Sequence, residues 1–261
     1  MHKIKTIIRK EWAEVFKNRM VLFTVIFLPL MMTALPLIIL FATRDAGIES
    51  IDTELPEQFA QFCSEDLSAG QCFQVYMVSQ FLLMFMMIPL IIPINIAAYS
   101  IVGEKTTHSL EPLLATPITT AELLTAKNLA ATIPAVLATW VGFGIFAAGA
   151  LIISGTKMAG ALLDPMWLLA VLLVGPLMAV LSVNFSIMVS SRVNDPRVAE
   201  QVSTIVILPL LALFFGQISG LFFLNKTLIL IIALALLILD MVLIYIAVRM
   251  FQRENILTRW K

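Results

Sequence analysis

Residues 71–102, QCFQVYMVSQFLLMFMMIPLIIPINIAAYSIV, form the stretch that decides the fold. No Asp, Glu, Lys, Arg or His interrupts it. A helix needs roughly 20 apolar residues to cross the ~30 Å hydrocarbon core of a bilayer, because each residue advances it by about 1.5 Å. The stretch therefore predicts a transmembrane helix, with residues to spare at its polar start.

Five further runs of this kind lie on either side, and only the last is interrupted, by Asp240. The chain is 60% hydrophobic and 13% charged, whereas soluble domains are about 25% charged. A soluble helical bundle would need a polar stripe on each helix, and none of the runs has one. The sequence thus predicts an all-α, polytopic membrane protein with six transmembrane helices. The five further runs are residues 20–43, 128–156, 165–191, 201–225 and 227–248.

The distribution of basic residues predicts the orientation. All but three of the 17 lysines and arginines fall in the N-terminal arm, in the loops after the second and fourth runs, or in the C-terminal tail. The exceptions are Arg44, Lys157 and Lys226. The positive-inside rule then predicts a multi-pass protein of the cell (inner or plasma) membrane with both termini in the cytoplasm. Since 17 acidic residues balance the basic ones, nothing in the net charge favours nucleic acid.

Two further segments follow from composition. Residues 1–19 predict a basic amphipathic helix that lies on the inner membrane surface, ahead of a six-span domain over residues 20–261. The outer loop, residues 44–74, is acidic and contains Cys63 and Cys72, which would form a disulfide in an oxidising exterior or two free thiols in a reducing setting. The apolar face of the N-terminal helix consists of Ile4, Ile7, Ile8, Trp12, Val15 and Phe16.

The loop after the second run, residues 103–122, has a leucine face of its own. Its core, residues 103–119, reads GEKTTHSLEPLLATPIT, with Leu110, Leu113 and Leu114 at helical i, i+3, i+4 spacing. Glu104 and Glu111 are expected near helix N-termini, and Pro117 marks a stop before a restart at Thr119 and Thr120. Such a face needs a partner groove, or else it lies on lipid headgroups.

This loop resembles the first cytoplasmic loop of the type-2 ATP-binding-cassette (ABC) export permeases. The resemblance is carried by Glu104-Lys105, Ser109-Leu110-Glu111, Leu113-Leu114 and Thr116-Pro117-Ile118, and the chain departs from the family pattern at Thr106, Thr107 and His108. It implies a cytoplasmic coupling helix that docks on a separate ATPase. The ATPase-coupling residues would then be Glu104, Lys105, Ser109, Leu110, Glu111, Leu113, Leu114, Thr116 and Pro117.

The same resemblance implies the partners. They would be two copies of an ABC ATPase, a second permease subunit in a homo- or heterodimer, and membrane lipid. ATP and Mg²⁺ would be bound by the ATPase, with no cofactor in this chain. The segment 216–226 would form short re-entrant helices.

Catalytic motifs are missing from the sequence. It has no G-x-x-x-x-G-K-[S/T], no H-E-x-x-H and no G-x-S-x-G, so we expect no catalytic or metal-binding residues and no enzyme activity in this chain. Asp240 is the only acidic or basic residue within the runs, and Asn95, Asn184 and Gln217 are further intramembrane polar candidates. Asp240 would contact a cation or proton, or join two helices as a neutral or hydrogen-bonded carboxyl. The alternative function is a self-sufficient ion-coupled transporter that uses Asp240.

Overall fold

A computed structural model of the chain describes residues 2–44, 69–106, 118–162, 165–221 and 224–250. Helices joined by short turns make up these residues, with no strand among them. A π-helical segment, Ala170–Val174, and a 3₁₀ segment, Thr204–Ile207, interrupt the α-helices. The α-helices are α1 (His2–Val15), α2 (Arg19–Arg44), α3 (Ala69–Phe85), α4 (Ile88–Thr106), α5 (Thr120–Leu162), α6 (Pro165–Leu169), α7 (Gly175–Ser190), α8 (Pro196–Ser203), α9 (Leu208–Ile218) and α10 (Lys226–Met250).

Six stretches in the described part of the chain are long and apolar enough to cross a membrane. They confirm the prediction of an all-α protein with six transmembrane helices. The second stretch combines α3 with α4, the fourth combines α6 with α7, and the fifth combines α8 with α9. The stretches are Val21–Thr43, Gln74–Thr106, Thr120–Ile153, Pro165–Ser190, Pro196–Ile218 and Lys226–Met250.

Proline explains two of the breaks within these spans. Pro89 has no N–H to give the Phe85 carbonyl, so the helix stops at Phe85 and restarts at Ile88. Pro176 has the same effect on the fourth span, where the Gly175 N–H bonds the Ala170 carbonyl in a π-helical turn.

Helix α4 is the centre of the bundle. It packs mainly against α7 and α5, and most of its side chains are buried. Ser182 and Ser186 of α7 donate hydrogen bonds to the Leu90 and Ile94 carbonyls of α4, at 2.6 and 3.4 Å. Helix α2 lies on the outside of α5 and α10 lies on the outside of α7. Their apolar side chains are widely exposed, as expected for surfaces that contact lipid.

Local caps fix where two helices start. Thr119 and Glu122 form a capping box: the Thr119 N–H donates to Glu122 Oε2 at 2.9 Å, and the Glu122 N–H donates to Thr119 Oγ1 at 3.2 Å. The Asp195 side chain accepts from the Arg197 N–H at 2.8 Å, with Pro196 at the first helical position of α8. The first start agrees with the restart expected at Thr119, and the second has the Asp-Pro order that favours a helix start.

Candidate functional site

A buried ion network joins three helices beside the loop predicted to couple to an ATPase. Its centre is Lys127 of α5, whose ammonium group donates to Glu11 Oε1 of α1 at 2.8 Å and to Ser100 Oγ of α4 at 2.8 Å. The same Nζ lies 2.8 Å from Glu104 Oε2 of α4. Ser100 Oγ in turn donates to Glu11 Oε2. Lys127 therefore links α1 to both helices that flank the loop.

A second lysine balances the charge. Lys10 Nζ donates to the other oxygen of Glu104, Oε1, at 3.0 Å, and lies 3.7 Å from Glu14 on the exposed side of α1. Glu11, Glu104 and Lys127 are all buried. Buried charges are stable only when they are paired and hydrogen-bonded. The two lysines and two buried glutamates, with Ser100, meet this condition, and we call these five residues the charge network.

The network also shifts the pKa values of its α1 members. Burial alone would raise the pKa of Glu11, but the charge of Lys127 and hydrogen bonds from Lys127 and Ser100 hold it below its ordinary value. Burial would likewise lower the pKa of Lys10, but the hydrogen bond and charge of Glu104 raise it above its ordinary value. Both groups are therefore charged at neutral pH.

Two further contacts fix α1 on α5. The Trp12 indole N–H donates to the Ala130 carbonyl at 2.9 Å. Ile7 packs in a small apolar cluster with Leu123 and Ala126 near the start of α5. Polar and apolar contacts thus hold the same helix to the residues that follow the loop.

Lys105, the neighbour of Glu104, binds the end of α4 to a different part of the protein. Its ammonium group donates to the carbonyls of Ser191 and Val193, each at 3.4 Å, in the turn between α7 and α8. Glu104 and Lys105 both lie in the last turn of α4, which continues through Gly103 to Thr106. Helical geometry thus persists past Gly103, and the Glu104 carboxylate is paired with Lys10 and Lys127 at the C-terminal end of α4. The residues that follow Thr106 lie outside the described part of the chain, so a helix N-terminus near Glu104 stays a prediction.

The remaining predicted coupling residues lie outside the described residues, as does Cys63. Cys72 belongs to α3, and the proposed pairing with Cys63 is outside what the structure describes. The part of the chain that is described contains no group of three His, Cys, Asp or Glu that could hold a metal ion. The predicted coupling residues outside it are Ser109, Leu110, Glu111, Leu113, Leu114, Thr116 and Pro117.

Hydrogen bonds do not gather the four predicted intramembrane polar residues into one group within the described helices. Asn184 Oδ1 accepts from Asn128 Nδ2 at 2.9 Å, and Asn128 Oδ1 accepts from Thr132 at 3.1 Å. Asn95 donates to the carbonyl of Ile91 on its own helix at 3.3 Å. Gln217 is buried in α9, and its Oε1 has no hydrogen-bond partner among the described residues. Asp240 is buried in α10.

Sequence reasoning missed Glu11 and Lys127 as partners, although each leaves a signal. Glu11 falls on the apolar face of α1, four residues after Ile7 and four before Val15. A charge at such a position indicates a buried partner, because an unpaired one is too costly. Lys127 lies beside Ala126, directly before an uncharged run. What the sequence does not show is that these two residues, 116 positions apart, meet.

The fold and the network define a class: a polytopic helical membrane protein whose N-terminal helix is ion-paired to the two spans that flank a connecting loop. Comparison with protein families identifies it further. The sequence model described as "ABC-2 family transporter protein" matches residues 5–253. The chain therefore belongs to the ABC-2 transporter family and is an ABC-type membrane permease. No curated protein matches it.

Proposed function

We propose that this permease forms the substrate pathway of an ATP-driven exporter, as a homo- or heterodimer with a second permease subunit. Two copies of a separate ABC ATPase bind ATP and Mg²⁺, and the chain itself contributes no ATPase site. The loop over residues 103–119 lies in the cytoplasm of the cell, together with both termini, and docks on the ATPase. Family membership supports a partner ATPase.

The observation that carries this proposal is the charge network. Glu104 lies at the start of the loop and Lys127 follows the loop, and their side chains are 2.8 Å apart. Both are ion-paired to α1, through Lys10 and Glu11. A force applied to the loop by an ATPase therefore acts on α1, α4 and α5 together. Since α4 is the centre of the bundle, its displacement alters its packing against α7 and can switch the side from which the pathway opens.

Docking is tested on the leucine face. Replacing Leu110, Leu113 and Leu114 by Ser removes three apolar side chains, each worth about 1.5–3 kcal/mol when fully buried in a groove. The triple Ser variant should insert in the membrane but lose its ATPase on copurification. The matched control replaces the same leucines by Met, which keeps the face apolar and should retain the ATPase. Equal retention by the Ser and parent proteins would contradict docking at this loop.

The alternative, an ion-coupled carrier, predicts a different outcome. Such a carrier needs no ATPase, so the parent protein would purify alone and transport without ATP. Copurification of the parent with an ATPase whose hydrolysis drives transport would exclude it. Copurification and ATP dependence of the parent protein therefore distinguish the exporter subunit from the ion-coupled carrier without any variant.

A further inference from the structure

Asp240 has an unusual position for an acidic residue. It lies within α10, 14 residues after Lys226 and 10 residues before Met250, so about 21 and 15 Å separate it from the two helix ends. Its side chain is directed away from the exposed surface, since only 4% of the residue is accessible. It therefore lies in the interior of the membrane-spanning part of the protein.

No group in the described part of the chain compensates the Asp240 carboxylate. Neither oxygen has a hydrogen-bond partner among the described residues. Helix α10 packs against α5, α6, α7 and the π-helical segment. Residues 165–190, which comprise the last three, contain no titratable side chain. Helix α5 carries Glu122, Lys127 and Lys157, of which Glu122 caps the helix start and Lys127 belongs to the charge network.

The charges on α10 itself are at its ends. Lys226 is its first residue and Arg249 lies in its last turn, over the Tyr245 ring at 4.7 Å from the centroid. Neither is closer than nine residues to Asp240 in the sequence, which places each more than a helical turn away. Among the described helices, an ionised Asp240 would thus be a single uncompensated charge in a membrane interior, and such groups neutralise instead.

We propose that Asp240 is a proton-binding site within the membrane, occupied in this arrangement of the helices. The carboxylate takes one proton from the aqueous phase and becomes a neutral carboxylic acid. A proton suits the site better than a metal cation, because it needs one oxygen and no volume, whereas metal cations require several oxygen ligands. Residues 165–190 contain no anionic side chain, and residues 226–250 contain only Asp240. One monovalent positive charge therefore neutralises the site.

Proton binding is linked to helix packing by the same geometry. The buried face of α10 repeats at Ala233, Asp240 and Ala247, and α10 packs most extensively on α7. Separation of α10 from α7 would admit water to the carboxyl and favour its ionised form. Conversely, the proton stabilises the packed arrangement. This inference does not depend on an ATPase partner.

Infrared spectroscopy of the full chain in phospholipid nanodiscs tests the site directly. The parent protein at neutral pH should show the carbonyl stretch of a protonated carboxylic acid, and the band should disappear as the pH is raised. Asp240→Asn should lack the band. The matched control, Glu14→Gln, removes an exposed carboxylate from α1 and should keep it. Spectra of parent and Asp240→Asn that coincide in this region at neutral pH would overturn the proposal.

Two further measurements keep the test decisive. If Asp240→Asn does not fold, the parent labelled with ¹³C-aspartate should show the same band shifted to lower frequency, and an unshifted or missing band would overturn the proposal. Adding Na⁺ or K⁺ at constant pH should leave the band unchanged. If either salt abolishes it, Asp240 binds a metal cation in place of a proton, and the proposal is wrong.

Discussion

At the scale of single residues, Lys127 explains how an N-terminal helix rich in charge can pack on a membrane domain. Its ammonium group loses water when it is buried, and two carboxylates and a hydroxyl replace that water. Such pairs are weak sources of net stability but are costly to break, because removing one partner leaves the others buried and uncompensated. In this protein the ion pairs of Lys127 determine which residues of α1, α4 and α5 are in contact.

Lys127→Met tests this account. The variant leaves Glu11 without its principal cation and Glu104 with only Lys10, so we expect the free energy of unfolding to fall by about 3–5 kcal/mol. Lys5→Met, on the exposed side of α1, is the control and should change it by less than about 0.5 kcal/mol. Denaturant titration in mixed micelles provides the measurement. Adding Glu104→Gln to Lys127→Met should restore part of the lost stability. If Lys127→Met and the control Lys5→Met are equally stable, the charge network is refuted.

Glu11 predicts how this stability depends on pH. Because its pKa in the folded protein is below the ordinary value, the unfolded chain binds a proton first as the pH falls. The contribution of Glu11 is thus complete above its unfolded pKa of about 4.3 and is lost as the pH falls through the folded pKa. The stability difference between the parent and Glu11→Gln should be constant near neutral pH and shrink below about pH 4.3. A difference that grows on acidification would contradict the pairing with Lys127.

At the scale of helices, the sequence correctly predicts that six transmembrane helices exist and roughly where each one lies. An uncharged run long enough to span a bilayer has few other structures available to it. The third span shows where this reasoning fails. The uncharged run begins at Asn128, but α5 begins at Thr120, since Glu122 is used in a cap and Lys127 is paired. Length alone cannot show that a charge is neutralised by a residue far away in the sequence.

Close packing of α2 on α5 gives a prediction at this scale. A Cβ placed on Gly149 would lie 2.8 Å from both methyl carbons of Leu37, whereas one placed on Gly144 of the same helix meets nothing within 4 Å. Gly149→Leu should therefore displace the Leu37 side chain from its packing on α5 and lower the free energy of unfolding by about 1–3 kcal/mol. Gly144→Leu, the matched control, should not destabilise the protein. Equal effects in the same denaturant titration would show that α2 does not pack here.

At the scale of the whole molecule, the membrane class and the six spans could be predicted from the sequence, whereas the charge network could not. Hydropathy is a property of contiguous residues, so residues 71–102 indicate a span without reference to the rest of the chain. The network depends on which helices are neighbours. Its members come from positions 10–11, 100–104 and 127, and only the packing of α1 and α4 on α5 brings them together. The coupling loop stays a prediction, because most of it lies outside the described residues.

The last prediction concerns which end of the bundle faces the cytoplasm. Lys105 binds the carbonyls of Ser191 and Val193, so the loop after α4 and the turn before α8 lie at the same end. The positive-inside rule places that end in the cytoplasm. In a background with Cys63 and Cys72 replaced by Ser, single cysteines at positions 108 and 197 should react with a membrane-impermeant maleimide only after cell lysis.

Cysteines at positions 57, 157 and 226 are the opposite set and should react in intact cells. Position 57 precedes a span, position 157 follows one and position 226 begins one, all at the other end of the bundle. Labelling position 108 from outside would invert the orientation. It would also remove the loop from the compartment that contains ATP, and the proposed ATPase docking would then be untenable. Labelling of 108 and 197 from opposite sides would instead contradict the contact that Lys105 makes with the turn before α8.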